Sequence, residues 1–481
     1  MGLAPPTLRE ILLVCVLLTG VYLVFVPETR ERFFAVPLPL PSPVSPSPLE
    51  PESEPFNGST RQIYNTRMSW ETSQVPQTKI IAHVPGWSII DRLYIYKGVV
   101  FIVSDEPHKI PQLSAIYSKG VDIEVGEEAE LARLPDDSDI RIISTVEARE
   151  LFGSGAQILD GVTYFVNDPP QFVRHYYHWA AELWFGFWRA YSSLDPSIPA
   201  SGNTSLPAPR RMLFTRLDAF RWRDYSTMNQ WVVRSSFPDL TMEFLDDWDD
   251  RAKMQTPFVF ERVVLADRSA AMPALNYQRY QRTAAPAFAL PGSAHWWLAI
   301  RNNVVRFAGL EPEVGAGTRK RPVITYISRQ AWGRRMLVPA DHEKLVRELR
   351  KLEVVYGYEV NVVVPEKMTR LEQLQLAART TILMGVHGNG LTSLLWMKPN
   401  ARSTVIEFFY PGGFAHDYEY TTRALGMTHY GFWDSDAFTS PDIPLPAYPE
   451  GFQGNSIPLD GEAVAALCIH RLRLEGEVDD G

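Results

Sequence analysis

Ile382-Leu383-Met384-Gly385-Val386-His387-Gly388-Asn389-Gly390-Leu391-Thr392-Ser393-Leu394-Leu395 reads as a buried strand, a glycine-bracketed turn and the start of a helix. The apolar run Ile382 to Val386 is of the kind that a parallel sheet buries on both faces. Gly388 and Gly390 let the backbone turn tightly and approach a ligand. The helix that follows offers unpaired N–H groups and a positive dipole end, so phosphate or another anion is the natural guest, with His387 in reach. An ordinary strand-to-helix turn around a core histidine is the plain alternative.

Around this stretch the chain alternates. Val323 to Ser328 reads as a strand, Asp341 to Leu352 as a helix, Val360 to Val364 as a strand, and Thr369 to Ala378 as a helix opened by the capping box Thr369-x-x-Glu372. After the central strand come a short helix from Leu391 to Met397, a strand from Thr404 to Phe409 and a helix from Tyr418 to Leu425. Strand and helix in turn imply an α/β fold with a parallel, doubly wound sheet. Such sheets bind ligands at the carboxyl ends of their strands, where Ser328-Arg329, His387 to Gly390 and the residues after Glu407 all fall.

The chain has 481 residues, 45% of them hydrophobic, enough for two or three domains with ample core. A formal charge of −9 argues against a nucleic-acid partner. Ile11 to Val26 is an apolar run without a charge and without a small-residue cleavage site after it, so residues 11–26 read as a retained signal anchor behind a short cytoplasmic tail, residues 1–10. At roughly 24 Å as a helix, the run is short for a hydrocarbon core of about 30 Å and suits a thin early-secretory membrane. Residues 27–78 form a Pro/Ser-rich stalk. Asn57-Gly58-Ser59 and Asn203-Thr204-Ser205 are glycosylation acceptors, which have meaning only if the head is lumenal. The expected molecule is therefore a single-pass type II protein of the Golgi or endoplasmic reticulum membrane. With two cysteines, Cys15 in the anchor and Cys468 near the end, the fold rests on packing rather than an internal disulfide.

The head divides into residues 79–308, a linker rich in glycine and proline at 309–322, and residues 323–481. Strands in the first part are expected at Lys79 to Val84, Arg92 to Tyr96, Val99 to Val103, Ile140 to Ile143, Val162 to Val166, Met212 to Thr215 and Val263 to Leu265, with a helix around Trp296 to Phe307. Between them lies the most aromatic helix of the chain, His175 to Trp188, which places His175, His178 and Glu182 on one face. The plain reading of those polar groups is a satisfied buried network or simple exposure to solvent. In the second part, Arg329, Arg334 and Arg335 follow a strand closely, and their planar guanidinium forks match the oxygens of a diphosphate. Glu407, closing the next strand, can accept from a ribose diol.

Taken together, the Ser328-Arg329 segment with Arg334-Arg335, the run Gly385 to Leu391 with Met397-Lys398-Pro399, Val405-Ile406-Glu407, and His178 with Glu182 resemble the family 61 glycosyltransferases, which include plant xylosyl- and arabinosyltransferases and animal protein O-linked N-acetylglucosaminyltransferases. The resemblance spans roughly Arg92 to Phe432, with Asn389 standing where the family usually has alanine. It implies a GT-B fold of two facing Rossmann-like domains, a nucleotide-sugar donor, UDP-linked, on the C-terminal domain, and inversion at the anomeric carbon without an essential metal. Under that reading Arg329, Arg334, Arg335, His387, Gly388, Asn389, Gly390 and Glu407 form the donor site. Glu182, or His178 acting with it, takes the proton of a glycan or glycoprotein hydroxyl, and the sugar moved is xylose or N-acetylglucosamine.

Rival readings are weaker. Asp247-Trp248-Asp249 offers the Asp-x-Asp of a metal-dependent GT-A transferase, but Asp137-Ser138-Asp139 and Asp434-Ser435-Asp436 match equally well. An esterase would need a G-x-S-x-G elbow and a zinc hydrolase H-E-x-x-H, and the chain has neither. A membrane-tethered carbohydrate-binding scaffold that has lost activity would look the same in sequence.

Overall fold

The first half builds a nine-stranded sheet from β1 (Arg67–Ser69), β2 (Lys79–Val84), β3 (Trp87–Tyr96), β4 (Val99–Val103), β5 (Ile140–Ile143), β6 (Gly155–Val166), β7 (Arg211–Phe214), β8 (Thr241–Glu243) and β9 (Phe258–Ala266). Its order is β5-β4-β3-β9-β6-β7-β8, with β1 added to β6 and β2 to β3. The sheet is mixed: β9 runs antiparallel to β3 and parallel to β6. The structure, a computed structural model, describes residues 66–313 and 321–474. The expected anchor, most of the stalk and the Asn57 acceptor lie outside the described residues, among which no helix is long and apolar enough to cross a membrane. The head also begins earlier than Lys79. β1 pairs with β6, and Trp70 and Val75 are buried against Tyr94 and Phe152, so the end of the expected stalk is part of the core.

The second sheet consists of β10 (Val323–Ile327), β11 (Glu359–Val363), β12 (Ile382–Val386), β13 (Thr404–Phe408), β14 (Thr428–Trp433) and β15 (Asp436–Phe438), in the order β11-β10-β12-β13-β14-β15. The pairings are parallel as far as β14, and β15 closes the edge antiparallel. Every residue of β10, β12 and β13 is buried, as a sheet covered on both faces requires. On one face Leu345, Leu349 and Leu352 of the helix Pro339–Tyr356 pack with Val464, Cys468 and Leu472 of the helix Gly461–Leu472. On the other face the chain places the helix Arg370–Arg379, begun by the expected Thr369–Glu372 capping box, the 3-10 helix Asn389–Trp396 and the helix His416–Ala424.

This second face meets the first half without a break in the apolar packing. One hydrophobic cluster runs from Trp87 and Tyr164 on the first sheet through Trp179, Phe185 and Trp297 to Leu394, Trp396 and Leu383. Trp297 Nε1 donates to Leu395 O at 2.8 Å, Trp396 Nε1 to Tyr176 Oη at 3.1 Å, and the buried Arg301 Nε to the carbonyls of Trp396 and Met397. The described residues belong to one compact unit. The aromatic helix sits at its centre and is not a plain α-helix: His178–Trp184 forms a π-helix, continued as an α-helix over Phe185–Tyr191. From Trp179 to Tyr191 every residue is buried, so this element is enclosed on all sides.

Candidate functional site

The strand order decides where a ligand can sit. Chain connections leave β10 for β11 on one side and reach β12 on the other, so the order reverses between β10 and β12. In open parallel sheets a crevice forms at that switch, outside the carboxyl ends of the strands. The two loops flanking it are 328–337 after β10 and 387–390 after β12, which hold the arginines and the glycine turn.

Arg329 and Arg335 both lean on that turn. Arg335 Nη1 donates to His387 O at 3.3 Å and its Nε to Gln453 Oε1 at 2.7 Å. Arg329 lies so close to Gly388 that a Cβ there would stand 2.5 Å from its Nη1, and one on Gly390 would stand 2.9 Å from Ile327 Cγ2. A Cβ at Gly390 would press on the buried Ile327, whereas one at Gly388 would displace only the end of the Arg329 side chain. Arg335 is held in the left-handed region at φ 52°, a conformation that costs about 1–2 kcal/mol in a residue with a Cβ. Burial and then repulsion from Arg335 weaken the hold of Arg329 on its proton; burial does the same for Arg335, with Arg334 adding to it. Neither half-buried guanidinium has a carboxylate partner among the described residues, and Arg329 Nε is buried without any acceptor. Two like charges held together, half out of water and without a carboxylate partner among the described residues, have the chemistry to pair with an anion. Arg334 is exposed at its rim.

Beneath the turn lies a buried relay. His387 Nδ1 meets Glu407 Oε1 at 2.6 Å, and Glu407 Oε2 meets His429 Nε2 at 2.9 Å. Glu407 is fully buried, so the ribose contact expected of it has no surface on which to form. Its place is behind His387, whose ring is boxed by Phe409, Tyr418 and Phe452 at 5.2–5.6 Å between centroids. Asn389 likewise turns away from the arginines. Its Oδ1 accepts from Tyr177 N at 3.1 Å and its Nδ2 donates to Ser226 Oγ at 2.9 Å, so it ties the glycine turn to the first half.

The π-helix begins at that tie and carries the second group of candidates. His178 Nδ1 meets Glu182 Oε2 at 2.7 Å. Glu182 is 1% exposed and crowded by cations: Arg268 Nη1 donates to Oε2 at 2.9 Å, Thr283 N to Oε1 at 3.3 Å, and Arg282 Nη1 stands 3.8 Å from Oε1. Burial alone would raise its pKa, but Arg268, His178 and Arg282 together hold the carboxyl well below its ordinary value. Glu182 is therefore a fixed anion and a poor acceptor of protons. The His178 side chain is 28% exposed, and its Nε2 makes no hydrogen bond to the described residues. His175, 5.0 Å away between ring centroids, has an exposed surface yet is surrounded by protein; that crowding, then His178 and Arg335, holds its imidazole at about 4.

Arg282 joins the two groups, since its Nη1 also donates to Asp417 Oδ1 at 2.7 Å in the second half, while Tyr177 Oη donates to Asp417 O at 2.7 Å. Burial opposes ionisation of Asp417, but Arg282, His387 and His178 outweigh it and keep the carboxyl below its usual range. His178 and His387 thus both stand within electrostatic reach of Asp417. Arg268, Arg282, Asp417 and His429 carry no spacing signal in sequence, because each meets its partner across a long chain separation. Elsewhere, Asp247 Oδ2 accepts from Phe244 N at 2.8 Å and serves as a helix cap beside the edge strand β8, with Asp249 on the same surface helix. Asn203 is exposed on the surface, and Thr204 Oγ1 donates to Asp195 at 2.6 Å.

An α/β protein of two sheets, with paired cations at a switch point and a histidine–carboxylate pair in the first half, has an architecture that suits a transferase. A comparison of families agrees: the family described as Glycosyltransferase 61 matches residues 165–406. The chain belongs to that family, and its class of reaction is transfer of a sugar from a donor to an acceptor. The match takes in His178, Glu182, all three arginines and the glycine turn, and ends one residue before Glu407. No curated protein matches the chain.

Proposed function

We propose that the protein transfers xylose or N-acetylglucosamine from a UDP-sugar to a hydroxyl of a glycan or glycoprotein, with inversion, through a GT-B arrangement of the two halves and without a divalent metal. The observation that carries this reading is the pair Arg329 and Arg335, uncompensated cations on the His387–Gly388 turn at the switch point. The β-phosphate of the donor supplies the missing counterion. As the acceptor oxygen attacks the anomeric carbon, its proton passes to His178 Nε2. The bond from the sugar to the diphosphate breaks on the opposite face, and the two arginines with His387 meet the growing negative charge. Glu182 accepts from His178 Nδ1–H, fixing the tautomer that leaves Nε2 free and stabilising the imidazolium that forms. Glu407 does the equivalent for His387, and exposed Arg334 attracts the donor. This assigns the base to His178 and places Glu182 behind it.

The use of Asp247 Oδ2 as a helix cap weighs against the GT-A alternative. Activity that survives EDTA supports the metal-free reading; full loss restored by manganese returns the role to Asp247 and Asp249. Calorimetry with UDP, followed by a transfer assay with a panel of UDP-sugars, tests the whole. Arg329→Ala and Arg335→Ala should each weaken UDP by about 1.5–3 kcal/mol, the range for charge-assisted hydrogen bonds. Unchanged affinity in both moves the donor elsewhere, and UDP binding without any transfer selects the scaffold alternative. For location we retain a type II protein of the Golgi or endoplasmic reticulum with a lumenal head. Glycans on Asn57 or Asn203, and a head shielded from protease in sealed microsomes, are the expected signs.

A further inference from the structure

Beside the crevice, on the first-sheet side, the loop 218–227 presents two large exposed rings. Phe220 is 92% exposed and Tyr225 74%. Singly exposed rings are ordinary, but two on one well-built loop beside the glycine turn give a face on which a sugar ring can lie. The loop itself is firmly built. Trp222 is buried, and the buried Asp224 accepts from Ser226 N at 2.9 Å, Met228 N at 2.7 Å and Asn229 N at 2.8 Å. Its position is equally defined. Tyr225 N donates to Arg174 O at 3.1 Å, next to His175, and Ser226 Oγ accepts from Asn389 of the glycine turn at 2.9 Å. The exposed rings are therefore on a rigid segment strung between the His175–His178 end of the π-helix and the donor-side turn.

Two guanidiniums on this surface stack on aromatic rings. The Arg174 guanidinium lies 4.7 Å from the centroid of the Tyr225 ring and that of Arg223 lies 4.8 Å from the Trp222 ring. Both residues are exposed, and neither pairs with a carboxylate among the described residues; Arg221 is paired with Asp218. In a chain of net charge −9 an unpaired basic and aromatic surface stands out, and guanidinium forks match carboxylates. Stacking a guanidinium on a ring orders both groups before anything binds.

We propose that the loop 218–227 is the acceptor platform, and that it takes an acidic glycan: sugar rings lie on Tyr225 and Phe220, while Arg174 and Arg223 pair with the carboxylate of a uronic acid near the accepting sugar. The proposal rests on the crevice being the transfer site. It makes the loop a specificity determinant that leaves the donor site untouched.

The test titrates two hexasaccharides into the full chain by calorimetry, one alternating glucuronate and N-acetylglucosamine and the other, uncharged, of N-acetylglucosamine alone. The acidic probe is expected to bind at least tenfold tighter. Arg174→Ala combined with Arg223→Ala should erase that preference, and Tyr225→Ala should weaken both probes at least fivefold. UDP affinity should stay within twofold in each variant, which also shows that the variants are folded. Equal affinity for the two probes, no binding of either, or wild-type binding by the variants overturns the platform. Failure of the wild type to bind UDP would instead strike the transferase reading of the crevice, since the saccharide titration reports on the loop independently.

Discussion

At the scale of single residues, the account turns on Glu182 being a permanent anion and His178 the group that moves a proton. Glu182→Gln removes the charge that orients Nδ1–H and leaves Arg268 and Arg282 facing a neutral amide. Turnover should fall by roughly 100-fold or more, and stability by about 3–5 kcal/mol, the cost of breaking a buried ion pair on one side. Denaturant unfolding and single-turnover transfer on the same preparation check both; a folded variant with wild-type turnover would free His178 from its supposed partner. Gly388→Ala tests the donor side without touching a charge. The added methyl must push the Arg329 guanidinium away, so UDP affinity should drop by about the same 1.5–3 kcal/mol as Arg329→Ala. Wild-type affinity in a titration would show that Arg329 does not need its present place. Much of this site was legible in sequence, because arginines after a strand and a glycine turn after another are local patterns. The roles were less so. That Glu182 is ringed by Arg268 and Arg282, or that Glu407 is enclosed between His387 and His429, depends on contacts across the fold that no spacing records.

At the scale of elements, the π-helix and the glycine turn are joined by one side chain. Asn389→Ala leaves Tyr177 N, at the entry of the π-helix, without its acceptor and should lower stability by about 1–3 kcal/mol. An unchanged denaturation midpoint would show that water or another group replaces the amide. The alternation of strands and helices from Val323 to Leu425 could be read from sequence because apolar runs, the Thr369–Glu372 box and glycine punctuation are all local. The wide turn of His178–Trp184 could not, since an aromatic run buried on all sides carries no periodicity to distinguish an α-helix from a π-helix. β14 and β15 escaped notice for a related reason: Thr428-His429-Tyr430-Gly431 reads as polar, yet His429 is buried by its bond to Glu407. The mixed order of the first sheet is likewise a matter of which strands meet, and strand patterns alone leave that open.

At the scale of the molecule, the two sheets share one core, and ion pairs buried within its elements make its stability depend on pH. Glu419 is an example: burial opposes its charge, but His416 at 3.0 Å and Arg423 at 2.8 Å bring its carboxyl down to about 2, against an ordinary 4.5. A depressed folded pKa gives stability that is present above pH 4.5 and lost as pH falls toward 2. That loss should be on the order of 3 kcal/mol, and Glu419→Gln should flatten it in denaturant titrations across that window; an unchanged slope would remove Glu419 from the acid response. The central claim is that one crevice joins an arginine-lined donor site to a histidine base held by a buried carboxylate. Its most direct test is single-turnover transfer from UDP-sugars by His178→Asn, with UDP affinity measured on the same sample. The account predicts turnover at least 100-fold below wild type with UDP affinity within twofold; a folded variant that transfers sugar at the wild-type rate would contradict it.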